Sequence, residues 1–284
     1  EDAIKPMRAR LSRLIGVDDA SVMFSCTHTH GGPCTRWTIK RDAAEVRKMP
    51  ADPDYLAFLS NTLAEAVTDL RDRGDWRECL VGFHSTHCDE NRNRRYTTAD
   101  NCNAAAEYRR KLLDVGTGIA DKELGTVALL DPGTFDPLYV IGNYAAHGVA
   151  SHAPGRAGYR ISSDYPGFFR RYLRDELGCG AMFVNGAAGD VVPKENELGT
   201  DGARRTGVNL AKGCIASVID IQRNAPCFVM PEPKVGALIR TMETPLISRW
   251  REMLGRDSVT LEIQCVSIGD VAFVGVPGEI VNAV

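Results

Sequence analysis

His28 and His30 have the clearest chemical potential in the chain, because two imidazoles stand two positions apart just after an apolar run at 22–25. If the extended backbone of that run continues, residues i and i+2 point to the same side, with Cβ atoms about 6.5–7 Å apart. Such a pair could bind one metal ion together, or one imidazole could bind it while the other exchanges protons. The Gly-Gly-Pro sequence at 31–33 then predicts a turn at the end of the strand. Two surface histidines in a polar loop are the alternative interpretation.

Three further segments contain residues of types that bind metal ions or contact substrates in hydrolases. His147 closes an apolar run and precedes a glycine, although a histidine in this position is also commonly a hydrogen-bonded core residue. The small residues at 186–189 allow a backbone to approach a ligand closely, and Asn185 and Asp190 flank them. Glu279 follows an apolar strand and a Pro-Gly turn. Two histidines and one glutamate form a known catalytic zinc set that leaves a position open for water.

Two other polar clusters are weaker candidates. The first combines histidines with an aspartate, but its first histidine falls inside a predicted strand, where packing explains it. The second is a basic group, which could hold a substrate oxygen or be a solvated loop. The members are His84, His87 and Asp89 in the first, and Arg92, Arg94 and Arg95 in the second. Asp164 precedes a predicted helix, where capping is sufficient reason for a carboxylate.

The elements that must position these side chains alternate between short β-rich runs and amphipathic helical patterns. This pattern predicts an α/β layered domain in which helices flank mixed β-sheets. Strands are predicted at 22–25, 80–85, 125–130, 139–143, 181–184, 259–268 and 271–276. Helices are predicted up to residue 14 and at 54–73, 167–177, 203–222 and 244–254. Loops are predicted at 88–103 and 225–233, and we expect one domain over residues 1–284, incomplete at both ends.

The amino-acid composition limits the classes of protein to which the chain could belong. The chain has 284 residues, of which 44% are hydrophobic and 25% are charged, as in an ordinary globular protein. A net charge of −3 provides no electrostatic footprint for nucleic acid. No run of roughly 18 or more apolar residues occurs, so we expect no transmembrane segment. Nine cysteines without a C-x-x-C pair indicate neither a disulfide framework nor a cysteine zinc site, and free thiols favour a reducing, cytoplasmic compartment.

Five ordered segments together resemble the neutral, non-lysosomal ceramidase family and its bacterial relatives. They are Thr-His-Thr-His-Gly-Gly-Pro at 27–33, Asn-Tyr-Ala-Ala-His-Gly at 143–148, Ile-Ser-Ser-Asp at 161–164, Gly-Ala-Ala-Gly-Asp-Val-Val-Pro at 186–193 and Pro-Gly-Glu at 277–279. The resemblance covers most of the chain and implies the fold of that family's N-terminal catalytic domain. It also implies a secreted or periplasmic location, in contrast to the cysteine usage.

The resemblance implies a single zinc ion. Its ligands would be His28, His147 and Glu279, and His30 would lie beside the metal and exchange protons. A tyrosine that completes the family's zinc site is expected beyond residue 284.

The resemblance also implies the residues that handle the substrate. Arg92 belongs to an Asn-Arg pair like that of the family, and would lie near the polar head of the substrate. Asn185 or Asp190 would help Arg92 to orient it. The substrate would be a small molecule or a lipid amide of the sphingolipid kind, with peripheral membrane contact.

One position departs from the family. Ceramidases carry a catalytic serine where this chain has Val192, and a valine can neither donate a hydrogen bond nor act as a nucleophile. The leading hypothesis is therefore a zinc-dependent hydrolase that cleaves an amide or related acyl bond with metal-activated water. The rival is a non-catalytic, ceramidase-like binding or scaffold protein. A phosphoesterase is less favoured, because no Asp-rich two-metal signature occurs.

Overall fold

The structure is a computed structural model that describes residues 3–33, 35, 38–41, 46–49, 51–94, 119–152 and 161–281. The helices are α1 (Ile4–Ile15), α2 (Pro53–Arg73), α3 (Asp164–Leu177), α4 (Thr200–Arg223), α5 (Ala225–Phe228) and α6 (Ser248–Leu254). The strands are β1 (Thr38–Arg41), β2 (Val46–Met49), β3 (Leu80–His87), β4 (Asn91–Asn93), β5 (Glu123–Leu130), β6 (Pro137–Tyr144), β7 (Gly180–Asn185), β8 (Val191–Pro193), β9 (Val235–Pro245), β10 (Ser258–Ile268) and β11 (Val271–Gly275).

The chain divides into two compact units, each assembled from separate stretches. The first unit comprises Glu1–Phe24, Pro33–Arg77 and Glu232–Gly278, and the second comprises Ser25–Gly32, Glu78–Pro231 and Glu279–Val284. The organisation as one domain stays a prediction.

The first unit contains an antiparallel sheet in the order β11-β10-β9, together with α1, α2 and α6. Helix α2 begins where the Asp52 side chain accepts hydrogen bonds from the backbone amides of Asp54 and Tyr55, which satisfies two donors that a helix start leaves unpaired. Helix α1 is tied to α2 by Arg10, which donates to Ser60 and Asn61.

The second unit is built on a four-stranded sheet in the order β3-β5-β6-β7. β3/β5 and β5/β6 are antiparallel, whereas β6/β7 is parallel, so the sheet is mixed as predicted. Helices α3 and α4 supply the buried side chains that complete its core. In this core, Phe169 packs edge-on against Phe183, with ring centroids 5.4 Å apart. The α/β fold class is confirmed.

Most predicted elements occur within a few residues of their expected bounds, but the run at 22–25 is not a strand. The carbonyl of Val22 instead accepts a hydrogen bond from the Gln264 side chain at 3.0 Å. The helix predicted at 244–254 begins only at Ser248, because Thr244 and Pro245 still pair with β10.

Five strands and one short helix were not predicted. They are β1, β2, β4, β8, β9 and α5, of which β4 and α5 lie within segments predicted to be loops. β9 was not predicted because its side chains are exposed along almost its whole length, so its sequence lacks the apolar alternation that marks a half-buried strand. The rest of the predicted loop, 95–103, lies outside the described residues. No helix in the described ranges combines the length and apolar character needed to cross a membrane.

Replacing Phe169 with alanine should lower the free energy of unfolding by about 3–5 kcal/mol, because the ring is fully buried and its loss leaves a cavity. Urea unfolding measures this change. Phe58→Ala is the matched control, since Phe58 is 61% exposed on α2, and a change within about 0.5 kcal/mol is expected. Equal effects of the two substitutions would contradict the assigned core.

Candidate metal centre

The loop that carries His28 and His30 runs beside the segment after β6. The amide of His30 donates to the carbonyl of Gly148 at 3.0 Å. His28 has a φ of 56°, a left-handed conformation that is uncommon for a residue other than glycine. The backbone is therefore not a continued strand, yet the two rings lie together with centroids 5.1 Å apart. Strain of this kind is commonly found at functional sites.

Close backbone approach explains two glycines in these motifs. A Cβ at Gly148 would lie 2.9 Å from Thr29 Cα, and one at Gly31 would lie 2.9 Å from the Ser162 carbonyl oxygen. Both distances are too short for real Cβ contacts. The histidine loop is thus held between the segment after β6 and the segment before α3.

His147 is the most firmly fixed of the histidines. It is 2% exposed, and its backbone amide donates to the Val191 carbonyl at 2.9 Å. Its Nδ1 is hydrogen-bonded to the carbonyl of Ala188 and lies 3.3 Å from that of Val191. These acceptors assign the ring proton to Nδ1, which leaves the lone pair on Nε2 directed toward a metal or a donor.

The electrostatic surroundings keep the His147 ring neutral. Burial, reinforced by the neighbouring Arg94 guanidinium and by the electrostatic effect of the His28 ring, lowers the pKa of His147 to about 4, although the Ala188 carbonyl and Glu279 oppose the shift. A neutral imidazole is the form that binds metal. The ring is therefore in the ligand form at neutral pH.

The three histidines converge. One ring nitrogen from each of His28, His30 and His147 can be chosen so that all lie within 4.8 Å of one another. The carboxylate of Glu279 joins them, with Oε1 2.9 Å from His28 Nε2 and 3.6 Å from His147 Nε2. The residue after Glu279 is anchored by its carbonyl, which accepts from the amide of Gly189 at 2.7 Å.

These residues fit a zinc ion. His28 Nε2 is shielded from solvent and has no hydrogen-bond partner among the described residues, so its contact with Glu279 is a close approach and not a formed hydrogen bond. A buried imidazole nitrogen without a partner, facing a carboxylate and two more imidazoles, is the donor set that zinc uses. His30 belongs to the same group of ring nitrogens, so the division of roles among the four residues stays a prediction.

The structure brings Arg94, rather than Arg92, within reach of a histidine. Arg94 Nη2 lies 3.4 Å from His147 Nε2 and donates to the Gly189 carbonyl at 3.0 Å. Arg92 donates to Asn196 at 3.2 Å and lies 3.3 Å from a Glu197 oxygen. The sequence indicated Arg94 only as a member of a basic group. Arg94 lies one residue beyond the end of β4, so the alternation of side chains along that strand does not predict where it points.

The other predicted substrate residues lie on the segments around the cluster. Asp190 is 3% exposed and accepts a hydrogen bond from Asn93 at 2.9 Å, which makes it a structural support of this segment. Asn185 ends β7, and its side-chain oxygen is buried without a partner among the residues described. Val192 is 2% exposed and pairs with Arg92 between β8 and β4.

The weaker histidine–aspartate cluster is explained by packing and ion pairs. His84 Nδ1 lies 3.1 Å from the Ser217 hydroxyl, and its ring packs edge-on against Phe228. Asp89 pairs with Lys194 and Lys122, whose hydrogen bonds lower its pKa to about 2.

Gly31→Ala should destabilise the protein by about 1–3 kcal/mol, because the new methyl group must displace backbone at Ser162. Gly32→Ala is the matched control in the same motif, since its Cβ would meet only the Thr29 methyl group at 3.5 Å. Neither glycine has a positive φ, so the two substitutions differ only in the atoms that the new Cβ would contact. Urea unfolding of both variants measures the difference, and indistinguishable values would argue against the close loop contact.

Comparisons with known proteins bear on the fold. The chain is similar to the crystal structure of a neutral ceramidase from Pseudomonas aeruginosa, with 15% sequence identity and a TM-score of 0.65, over 98% of this chain and 52% of that one. It is also similar to a ceramidase complexed with C2, with 16% identity and a TM-score of 0.58, over 95% of this chain and 52% of that one. No family model and no curated protein matches.

The chain thus spans about half the length of each of these solved structures. At such low identity the likeness concerns the fold. The resemblance that the five ordered segments predicted is confirmed at that level: the chain has a ceramidase-like fold.

Proposed function

We propose that this protein is a zinc-dependent hydrolase. Its substrate would contain an N-acyl amide bond like that of a ceramide, or a related acyl bond. The observation that carries the proposal is the convergence of three imidazoles and a carboxylate around one buried nitrogen of His28, which lies 2.9 Å from a Glu279 oxygen but forms no hydrogen bond among the described residues. Structural histidines normally have partners for their buried nitrogens, because leaving one unpaired costs free energy.

His28, His147 and Glu279 would hold the single zinc ion. When bound, zinc supplies Lewis acidity, which activates water and polarises the scissile carbonyl. The hydrogen bond from His147 Nδ1 to the Ala188 carbonyl orients the ring toward the cluster and raises its basicity as a ligand.

His30 is proposed as the proton partner. It is the exposed member of the three histidines, so it can exchange protons with solvent, and its ring lies beside that of His28. In this role it would deliver a proton to the leaving amine.

Polar side chains on the surrounding segments would orient the substrate. Arg92 is proposed near its polar head, supported by Asp190 or by Asn185, whose buried oxygen lacks a partner among the described residues. Arg94 joins this set because its guanidinium reaches the edge of the cluster, where it could donate to a carbonyl oxygen.

The proposed class of substrate is inferred from the two structural neighbours. Both are described as ceramidases, which makes a lipid amide the first substrate to test, with sphingolipid amides among them. Peripheral contact with a membrane would then supply the substrate. A secreted or periplasmic location accords with this proposal, whereas the free cysteines in the described ranges accord with a reducing compartment.

The second candidate is a non-catalytic binding protein. The observation that favours it is Val192, a buried valine where ceramidases carry their serine. A turnover assay on N-acyl amides and esters separates the two. Chelator-sensitive hydrolysis supports the enzyme, whereas binding of the same amides without turnover supports the binding protein.

The purified protein should contain about one zinc ion per chain, and His28→Ala combined with His147→Ala should reduce the content at least about tenfold, because two of the proposed ligands are lost. Elemental analysis of dialysed protein measures this.

The matched control is His87→Ala. His87 ends β3, is exposed and lies outside the histidine cluster, so zinc content should not change. An unchanged zinc content in the doubly substituted protein would contradict the zinc assignment.

A further inference from the structure

Residues 162–165, here called the brace, connect the two loops that carry the histidines. On one side the brace holds the loop of His28 and His30. The Thr29 hydroxyl donates to the Ser162 carbonyl at 2.7 Å, and the Ser162 amide donates to the Gly31 carbonyl at 2.8 Å. These bonds flank His30 in the sequence, so they restrict where its backbone can lie.

On the other side the brace holds the loop of His147. The Tyr165 hydroxyl donates to the Ala146 carbonyl at 2.7 Å, one residue before the histidine. The carboxylate of Asp164 accepts two bonds from Ser151, from its amide at 2.7 Å and from its hydroxyl at 2.5 Å. Both ends of the loop that contains His147 and Gly148 are therefore fastened to the same four residues.

Asp164 is hydrogen-bonded to both residues of the brace that make these attachments, Ser162 and Tyr165. It is fully buried, its amide donates to the Ser162 hydroxyl at 3.0 Å, and its second carboxylate oxygen accepts from the Tyr165 amide at 2.7 Å. No lysine or arginine among the described residues forms an ion pair with it. Within the described residues, neutral donors compensate this buried carboxyl group, so displacing them would leave it without those bonds.

Helix capping accounts for only part of this arrangement. A capping residue has a non-helical, usually extended backbone and binds amides of the first helical turn, as one Asp164 oxygen does with the Tyr165 amide. The φ of Asp164 is left-handed at 54°, however, and its other oxygen reaches Ser151, thirteen positions earlier. Aspartate is among the few residues other than glycine that tolerate this left-handed conformation.

We infer that Asp164 is a positioning residue for the histidine cluster: through Ser151 and the brace it sets the distance between His147 and the loop of His28 and His30. Its hydrogen bonds within the described residues go to Ser151, Ser162 and Tyr165, so it acts on the histidines through the backbone on each side. The inference deepens the proposed zinc site and rests on it for its consequence, although the positions of the rings can be measured without zinc.

Asp164→Asn tests the inference with the smallest change. Asparagine keeps the size and the left-handed preference, but its amide group is a donor and must face either the Ser151 donors or the Tyr165 amide, so at least one buried donor loses its acceptor. Zinc affinity, measured by competition with a chromophoric chelator at a temperature where the variant is folded, should fall by about 10–100-fold.

Two companion variants keep the test decisive. Ser151→Ala removes the hydroxyl donor without touching the left-handed residue, and should lower zinc affinity in the same direction even if Asp164→Asn does not fold. Ser217→Ala is the matched control, because this fully buried serine contacts His84 and lies outside the cluster. It should lower stability without changing zinc affinity.

A second readout uses the metal-free protein. The rings of His28 and His147 have centroids 4.5 Å apart, close enough for a nuclear Overhauser effect between their protons. This effect should be strong in the wild type and in Ser217→Ala, and weak or absent in Asp164→Asn and Ser151→Ala.

The outcomes separate the two proposals. Wild-type zinc affinity and an unchanged ring contact in folded Asp164→Asn and Ser151→Ala would overturn the positioning role and leave Asp164 as a structural residue only. A wild type that binds no zinc would refute the proposed function, whereas the ring contact would still decide the role of Asp164.

Discussion

The site depends on one hydrogen bond, from Nδ1 of His147 to the backbone carbonyl of Ala188. A histidine that is 2% exposed could lie in any of several ring orientations and either tautomer, and this bond selects one. It also ties the segment after β6 to the turn after β7. Because burial and the neighbouring Arg94 guanidinium disfavour the protonated ring, the same environment that fixes the orientation of His147 maintains it as a ligand.

Two strained residues flank that fixed point. His28 and Asp164 both have left-handed backbones, at φ of 56° and 54°, a conformation that costs up to about 1–3 kcal/mol in residues other than glycine and less in aspartate, which tolerates it. Strain of this size persists only where surrounding contacts determine the conformation more strongly than local preference does. Around Asp164 those contacts are the Ser151 and Tyr165 donors, and around His28 they are the backbone pairing of His30 with Gly148. The strain is thus evidence of how firmly the two loops are held against each other.

The four strands of the mixed sheet, β3, β5, β6 and β7, could be predicted because runs of apolar residues mark buried strands, whereas the three-residue strands β4 and β8 of the same unit carry too short a pattern. His28, His147 and Glu279 could be placed in one site only through their ordered resemblance to a family, since no spacing rule joins residues so far apart in the chain. Other features were beyond prediction because tertiary contacts decide them. Arg94, one residue beyond the end of β4, lies 3.4 Å from His147, a contact that strand alternation does not indicate. Asp164 was predicted to cap a helix, and its bond to Ser151 has no signal in local sequence.

Topology explains why three of the five segments meet. β6 and β7 are parallel neighbours, with Tyr144 opposite Asn185, so their carboxyl ends lie at the same edge of the sheet. His147 follows the first strand and the Gly-Ala-Ala-Gly turn follows the second. The connection between parallel strands must return along the sheet, and here α3 makes that return, so its first residues lie at the same edge. One β-α-β unit therefore delivers a histidine, the carbonyl that orients it and the aspartate of the brace, and only the loop of His28 and His30 and the segment of Glu279 must be brought to it from elsewhere in the chain.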